Sequence, residues 1–347
     1  MRGALQLEGR LIPAMKRGQS DLSLMLAVNK PRGMTSHDVV NACRRIFGER
    51  RVGHAGTLDP MAEGVLIMLI GPAARLNAQL ELHDKRYAAR IALGACTDTD
   101  DEEGSVIRTA PVPAEAADET FARSVLSRFI GSQMQIPPIY SAIKKAGVKA
   151  YEAARAGTVV NLEARPINVE EAELVSISEE DGQLSWLVRF SVSKGTYIRA
   201  LARDIGRAAG TEAHLCALER LSIGSISLRD CVTLEALESV RERAALDPVK
   251  ALGLRFAYAE GKQRASLENG GKLSARATIL HEYARSHAFD DCACTSGVVE
   301  SCCPPRAGER ISVLLDNAFK AIYRFDADAG AYVPDCVFSK AVIRGVV

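Results

Sequence analysis

The sequence has no unbroken run of about 18 apolar residues, so no stretch of it reads as a membrane-crossing helix. The first twenty residues, MRGALQLEGRLIPAMKRGQS, lack the continuous apolar core of a secretory signal. They carry four basic residues against Glu8, a faint transit-peptide character. The expectation is a disordered extension over 1–23, with Met15 and Met25 as alternative starts. Excess charge of one sign is missing too. Lys and Arg number 44 against 43 Asp and Glu, a net +1 that argues for no particular partner. A paired cysteine framework is also absent, since nine is an odd number. Cys43, Cys96, Cys216, Cys231 and Cys336 are scattered and read as small buried hydrophobes. That fits a reducing cytoplasm better than a secreted disulfide scaffold. Cys292, Cys294, Cys302 and Cys303 are spaced C-x-C and then C-C, which matches no zinc pattern, so no metal site is expected.

What is present is ordinary for two globular domains: 347 residues, 47% hydrophobic and 25% charged. The near-neutral total hides segregation. Residues 29–54 hold six basic side chains against Asp38 and Glu49, whereas residues 97–119 hold eight acidic ones and only Arg108. A basic segment suits a nucleic-acid ligand where it meets phosphates, and is otherwise a solvated face.

Patterning divides the chain further. LMLAVNKP (24–31) reads as a strand, and SHDVVNACRRIFG (36–48) as a helix with Ser36 as N-cap. VLIMLI (65–70), bounded by Gly64 and Gly71-Pro72, reads as a buried strand. RYAARIALG (86–94) is another strand, followed by an acidic loop and a helix near 117–130. INVEEAELVSI and LSWLVRFSVS are two long strands, with Trp186, Val188, Phe190 and Val192 alternating onto one face of the second. TYIRALARDIGRAAG (196–210) is an amphipathic helix stopped by Gly210. A further strand and a helix over 234–245 close this unit. DPVKALG (247–253) reads as a linker. Beyond it LRFAYAEG, ERISVLLDN, FKAIYRFDAD and AYVPDCVF form a β-rich tail, interrupted by a loop insert at 281–305.

The chemistry concentrates in RVGHAGTLDPMAEGVLIMLIG (51–71). Asp59 followed by Pro60 is a common helix start, with Asp as N-cap and Pro at the first helical position. Gly64 follows too closely for a long helix, and a core strand begins at once. A carboxylate in a Gly-rich loop on a rigid scaffold is placed like a functional residue.

Five motifs then appear in order: NKPRGMTSHDVV, GHAGTLDPMAEGVL (53–66), KRYAARIALG (85–94), PPIYSAIKKAGVKAYEAARAG and SKGTYIRALARDIG (193–206). Together they resemble the TruB family of tRNA pseudouridine synthases over about 24–245, and the tail resembles a PUA-type RNA-binding domain. The resemblance implies an α+β pseudouridine-synthase fold, a central mixed or antiparallel sheet flanked by helices with the active site in a cleft across it. It implies a catalytic domain over 24–247 and a small β-rich PUA-like C-terminal domain over 253–347, with the 281–305 insert atypical. It implies conversion of uridine 55 in the T loop of elongator tRNAs to pseudouridine, with no cofactor, metal or nucleotide. The enzyme would act in the cytoplasm as a monomer that needs no protein partner, with a possible second role in tRNA folding. Asp59 matches the family's catalytic aspartate, Tyr87 its stacking tyrosine, Tyr197 and Arg199 the pair in GTYIR. His54 matches the residue that contacts the T loop, and Leu218 an apolar wall of the uracil pocket. Lys30, Lys144, Lys145, Lys149 and Arg155 are candidates for the RNA backbone. Two positions depart from the pattern: Glu63 stands where Thr or Ser is common and is read as exposed, and Glu219 stands where Arg is common.

The chemistry of the residues runs alongside. An isomerisation needs no redox or energy donor, and one carboxylate can serve as nucleophile or base. The base must leave the stack to react, and the vacated pocket wants an aromatic platform. An arginine beside the aspartate holds it ionised. The bland alternatives are Tyr87 as core filler, Arg199 as ion-pair partner of Asp204, His54 as a turn residue, and the lysines as a solvated helix face. The rival functions are the same chemistry on ribosomal RNA, a guide-RNA-dependent assembly, and a non-catalytic RNA-folding protein.

Overall fold

Strands rich in Val, Ile and Leu assemble two large sheets, beside two small two-stranded ones, in the computed structural model, which describes residues 20–140, 144–145, 148–149, 162–283 and 297–345. The larger sheet has ten strands. Its main path runs Cys231–Val232, Leu24–Lys30, Glu63–Ile70, Ala213–Ile223, Lys85–Leu93, Gln183–Val192, Arg165–Glu180, Gly131–Gln135. The mixed sheet with flanking helices is the α+β architecture expected.

One changeover in this sheet matters most. Along one edge of Glu63–Ile70, the short strand Val52–Ala55 pairs antiparallel with residues 67–70. The strand Ala213–Ile223 then takes over in parallel, its ladder pairing limited to Glu63 and Gly64. The two halves of the sheet meet at this brief seam, and the loop carrying Asp59 leaves the sheet there. Gly64 makes the seam possible. Its φ is +102°, and a Cβ would come within 2.3 Å of the Arg220 carbonyl oxygen and 2.8 Å of its nitrogen. Gly64→Ala is therefore expected to cost roughly 3 kcal/mol, from strain at positive φ and a backbone clash. Urea unfolding checks this; a midpoint equal to the parent's would show that the seam is not tight.

The run Val65–Ile70 is buried throughout, as expected, and its alternation feeds two cores. Val65, Ile67 and Leu69 pack on one side. Leu66, Met68 and Ile70 pack on the other, against Val39, Val40, Cys43 and Phe47 of the helix Ser36–Phe47. A third core holds Trp186, Val188, Phe190 and Val192, the alternating face anticipated, under the helices Glu119–Ser127 and Ile198–Ala208.

Three expectations are corrected. The N-cap of the first helix is Thr35, not Ser36: Thr35 and Asp38 close a reciprocal capping box. Ser36 is diverted to another task, described below. Residues 247–253 are not a linker. Asp247 caps a helix Pro248–Leu252, and Val249, Ala251 and Leu252 sit in one core with Met25 and Val65 of the large sheet and Phe256, Phe319 and Phe338 of the tail. The tail is thus packed onto the large sheet, and its end returns to the start of the chain, the Ile343 N–H donating to Ser23 O at 2.8 Å. The insert at 281–305 is not all loop: His281–Tyr283 pairs antiparallel with Val298–Glu300. These two strands end a seven-stranded sheet that includes the four tail strands expected. Cys43 and Cys96 are buried, whereas Cys216, Cys231 and Cys336 are only partly so and Cys302 and Cys303 are exposed. Cys292 and Cys294 lie outside the described residues. Among the described residues no helix is long and apolar enough to cross a membrane.

Candidate active site

The loop between Ala55 and Glu63 is pinned at four points. The Ser36 hydroxyl accepts from the Leu58 N–H at 2.9 Å and donates to the Leu58 carbonyl at 3.0 Å. The Gly33 N–H donates to Pro60 O at 2.8 Å. Arg220 donates to Gly56 O at 2.8 Å on the near side of the loop and to Val65 O at 2.7 Å beyond it. Lys30 donates to the carbonyls of Pro31, Met34 and Pro60 at 2.9, 2.7 and 3.4 Å. The loop then turns, with the Ala62 N–H donating to Asp59 O at 3.1 Å, straight into the strand from Glu63. Asp59 caps no helix. Glu63 is exposed, as its position suggested.

Asp59 is met by Arg199, in the first turn of the helix Ile198–Ala208. The guanidinium reaches both carboxylate oxygens, Nε to Oδ2 at 2.9 Å and Nη2 to Oδ1 at 3.1 Å. Such a fork both orients and ionises a carboxylate. Arg199 also donates to the carbonyls of Thr99 and Tyr140, each at 3.0 Å, and lies 3.3 Å from Asp101 Oδ2. Its partner is not Asp204, which pairs with Arg203 at 2.9 Å. The guanidinium side chain is 7% exposed, while the Asp59 side chain keeps 34% of its surface open to the cleft. Loss of water in the cleft pushes the Asp59 carboxyl above the ordinary aspartate range; Arg199 pulls it down and Asp101 pushes it up.

The cleft has a volume of about 820 Å³, within the range of ligand sites. Asp59, Tyr87, Tyr197, Arg199 and Leu218 all line it. Tyr87 and Leu218 are each 7% exposed and stand on adjacent strands of the larger sheet. The Tyr197 backbone is held by the Gln135 amide, which accepts from its N–H at 2.9 Å and donates to its carbonyl at 3.1 Å. His54 does not line the cleft. It sits two residues before the loop on Val52–Ala55, half-buried, with Nδ1 lacking a hydrogen-bond partner among the described residues. Burial, and secondarily Arg220, push its imidazole pKa down, which favours the neutral ring.

Lys30 is a correction. Expected at an RNA phosphate, it is fully buried and spends its ammonium on three carbonyls. Its function here is to hold the Asp59 loop, at the cost of a pKa lowered by burial to about 8. Lys144–Lys145 and Val148–Lys149 form a two-stranded antiparallel ribbon rather than a helix face. Arg155 lies outside the described residues. Sequence reasoning missed Asp101, Lys85 and Arg220. Arg220 had a signal: two residues from Leu218 in a strand, it falls on the same face.

Two family models match consecutive stretches of the chain. The TruB family pseudouridylate synthase N-terminal domain covers residues 44–198, and the tRNA pseudouridylate synthase B C-terminal domain covers 199–252. The chain is 45% identical over 253 residues to tRNA pseudouridine synthase B of Mycobacterium tuberculosis strain H37Rv, 72% of this chain and 84% of that protein. The chain belongs to the TruB family. It is accordingly an enzyme, a pseudouridine synthase. The TruB relative from Nocardia farcinica is 41% identical over 259 residues, 74% of this chain and 84% of its own length. Among solved structures, an H/ACA ribonucleoprotein bound to a substrate RNA containing 2′-deoxyuridine aligns with a TM-score of 0.63, at 21% identity, over 91% of this chain and 84% of that one. The archaeal box H/ACA Nop10–Cbf5 complex aligns at 0.60 with 23% identity, over 91% and 86%. At such identity these two share the pseudouridine-synthase fold with the TruB chain. Neither TruB family model extends past residue 252, so the tail is matched by the structural alignments and not by those models.

Proposed function

We propose that this enzyme converts uridine 55 in the T loop of elongator tRNAs to pseudouridine, with Asp59 as its catalytic carboxylate and without a cofactor. The observation that carries the reading is the Asp59–Arg199 fork. It holds one carboxylate on a four-point-anchored loop, partly open to a cleft walled by Tyr87, Tyr197 and Leu218. The relatives' names, tRNA pseudouridine synthase B, support uridine in tRNA as the substrate.

The chemistry balances within the nucleotide. The bond from the ribose carbon to ring N1 breaks, the bond to ring C5 forms, and the proton leaves C5 while N1 gains one. Asp59 acts as nucleophile or base. A stacked uridine cannot reach it, so the target is flipped into the cleft, its ring against Tyr87 and Leu218. Arg199 keeps the Asp59 carboxylate ionised and aimed. Outside the cleft, Lys144, Lys145, Lys149 and Arg155 meet backbone phosphates, and His54 approaches the T loop from the adjoining strand. Residues 24–247 form the catalytic domain and 253–347 a PUA-like RNA-binding domain. Both are carried by one monomer acting in the cytoplasm without a protein partner.

A short T-stem-loop hairpin tests this directly, because loops are read by stacking and phosphate contacts rather than by a long duplex. The hairpin is expected to release tritium from C5-labelled uridine at a rate comparable to unmodified tRNA. Reaction of full-length ribosomal RNA with none on the hairpin or on tRNA would overturn the assignment.

A further inference from the structure

Two cations on the floor of the cleft, Lys85 and Arg220, are held by carbonyls, and the carboxylates of Asp84 and Glu81 act on Lys85 only from beyond ion-pair distance. Lys85 is 9% exposed and Arg220 is 1% exposed, and both line the cleft. Lys85 donates to the carbonyls of Glu81 and His83 at 3.0 and 2.5 Å. Arg220 donates to Val65 O and Gly56 O. Among the described residues neither forms an ion pair. Burial, and then the positive charge of Arg220, push the Lys85 ammonium down to about 8. Buried charge of this kind is costly unless something pairs with it.

Lys30 shows what a purely structural lysine looks like in the same fold. Its three N–H donors meet three carbonyls, and it does not face the cleft. Among the described residues Lys85 meets two carbonyls and keeps one donor, while the Arg220 Nη1 group donates to none.

We infer that Lys85 and Arg220 form an anion site for a phosphate flanking the flipped uridine. The inference rests on the proposed stacking of that uridine on Tyr87. Strand register supplies the spacing. Leu218 lies opposite Ala89, Arg220 opposite Tyr87, and Ile223 opposite Lys85. A ring held by Leu218 and Tyr87 leaves Lys85 one step further along the same strand face, roughly 7 Å on. That is the direction and reach of a nucleotide's backbone from its base. Lys194, exposed at the cleft mouth, adds to the positive field there.

The test is a cycle between enzyme and RNA. Full-length tRNA is assembled by ligation with a neutral methylphosphonate on the 5′ or the 3′ side of whichever uridine the parent enzyme converts, so the cycle does not depend on that uridine being number 55. In the parent, one of the two replacements is expected to lower kcat/KM on the order of tenfold, the size of a charge-assisted hydrogen bond. In Lys85→Met, which keeps the aliphatic stem, the same replacement should cost nothing further, while Lys85→Arg restores the penalty. Two results would overturn the inference. One is an equal methylphosphonate penalty in parent and Lys85→Met at both positions, the mark of a structural lysine or of one serving the detached uracil ring. The other is no penalty in the parent at either position.

Discussion

Replacing Asp59 by Asn is expected to abolish turnover by about three to four orders of magnitude while leaving affinity for tRNA within a few-fold of the parent. An amide has the shape of the carboxylate and still accepts from Arg199, so the loop keeps its place. It is neither nucleophile nor base at neutral pH. The loop does not depend on the Asp59 side chain, because its anchors are Ser36, Gly33, Lys30 and Arg220. Stability follows the sign of the pKa. The Asp59 carboxyl is raised above its ordinary value in the folded chain, so burying its ionised form costs stability at neutral pH. That cost fades as pH falls through the raised pKa toward the ordinary one. The asparagine variant should therefore unfold no earlier than the parent at neutral pH, with the parent gaining on it under acid. Tritium release measures turnover, filter binding affinity, and thermal unfolding stability. Turnover within tenfold of the parent would remove Asp59 from the chemistry. Binding without turnover would leave a separate role in tRNA folding open to test with the same variant.

The residues legible in the sequence were those whose neighbours in the chain explain them. Asp59 stood out because Gly56, Pro60 and Gly64 crowd it and a buried run begins immediately afterward. Trp186, Val188, Phe190 and Val192 were legible from alternation alone. The misreadings have one common cause: a side chain used by something distant in sequence. Thr35 and Ser36 are both good caps, and nothing local says that Ser36 is needed 22 residues on, at Leu58. Lys30 looked like one more cation in a basic segment. Its burial depends on carbonyls of a loop 30 residues later. The short helix at 248–252 looked like a linker because its apolar residues are few, and their partners lie in the first strand and the tail. Arg220 lies opposite Tyr87 and against Gly64 across the seam, a register that only the assembled sheet defines.

Removing Arg199 should be damaging too, though less than removing Asp59, and with a different signature. In Arg199→Met the carbonyls of Thr99 and Tyr140 lose their donor, and Asp59 loses the main group that pulls its carboxyl down, leaving only the weaker pull of Lys30. Asp101 stays in place, since the Thr99 hydroxyl donates to it at 2.6 Å and the Glu103 N–H at 3.1 Å. It continues to push Asp59 up, and breaking a buried charge cluster on one side costs about 3 kcal/mol of stability. Turnover at neutral pH should fall at least on the order of a hundredfold, because a smaller fraction of Asp59 is ionised and what remains is no longer aimed. The sign of the pH effect follows. The parent needs ionised Asp59, so its rate drops as pH is lowered through a value above that of an ordinary aspartate. In Arg199→Met this acidic limb moves to still higher pH, and part of the lost rate returns under alkaline conditions. Arg199→Lys keeps the charge but cannot span both Asp59 oxygens and two carbonyls, so its limb should lie between the two. A merely structural arginine would lower the rate in proportion to the folded fraction and leave the limb where it was. A pH–rate profile on protein shown to be folded separates the two. An unmoved acidic limb in Arg199→Met would mean that the fork holds the helix to the loop and does not tune the carboxylate.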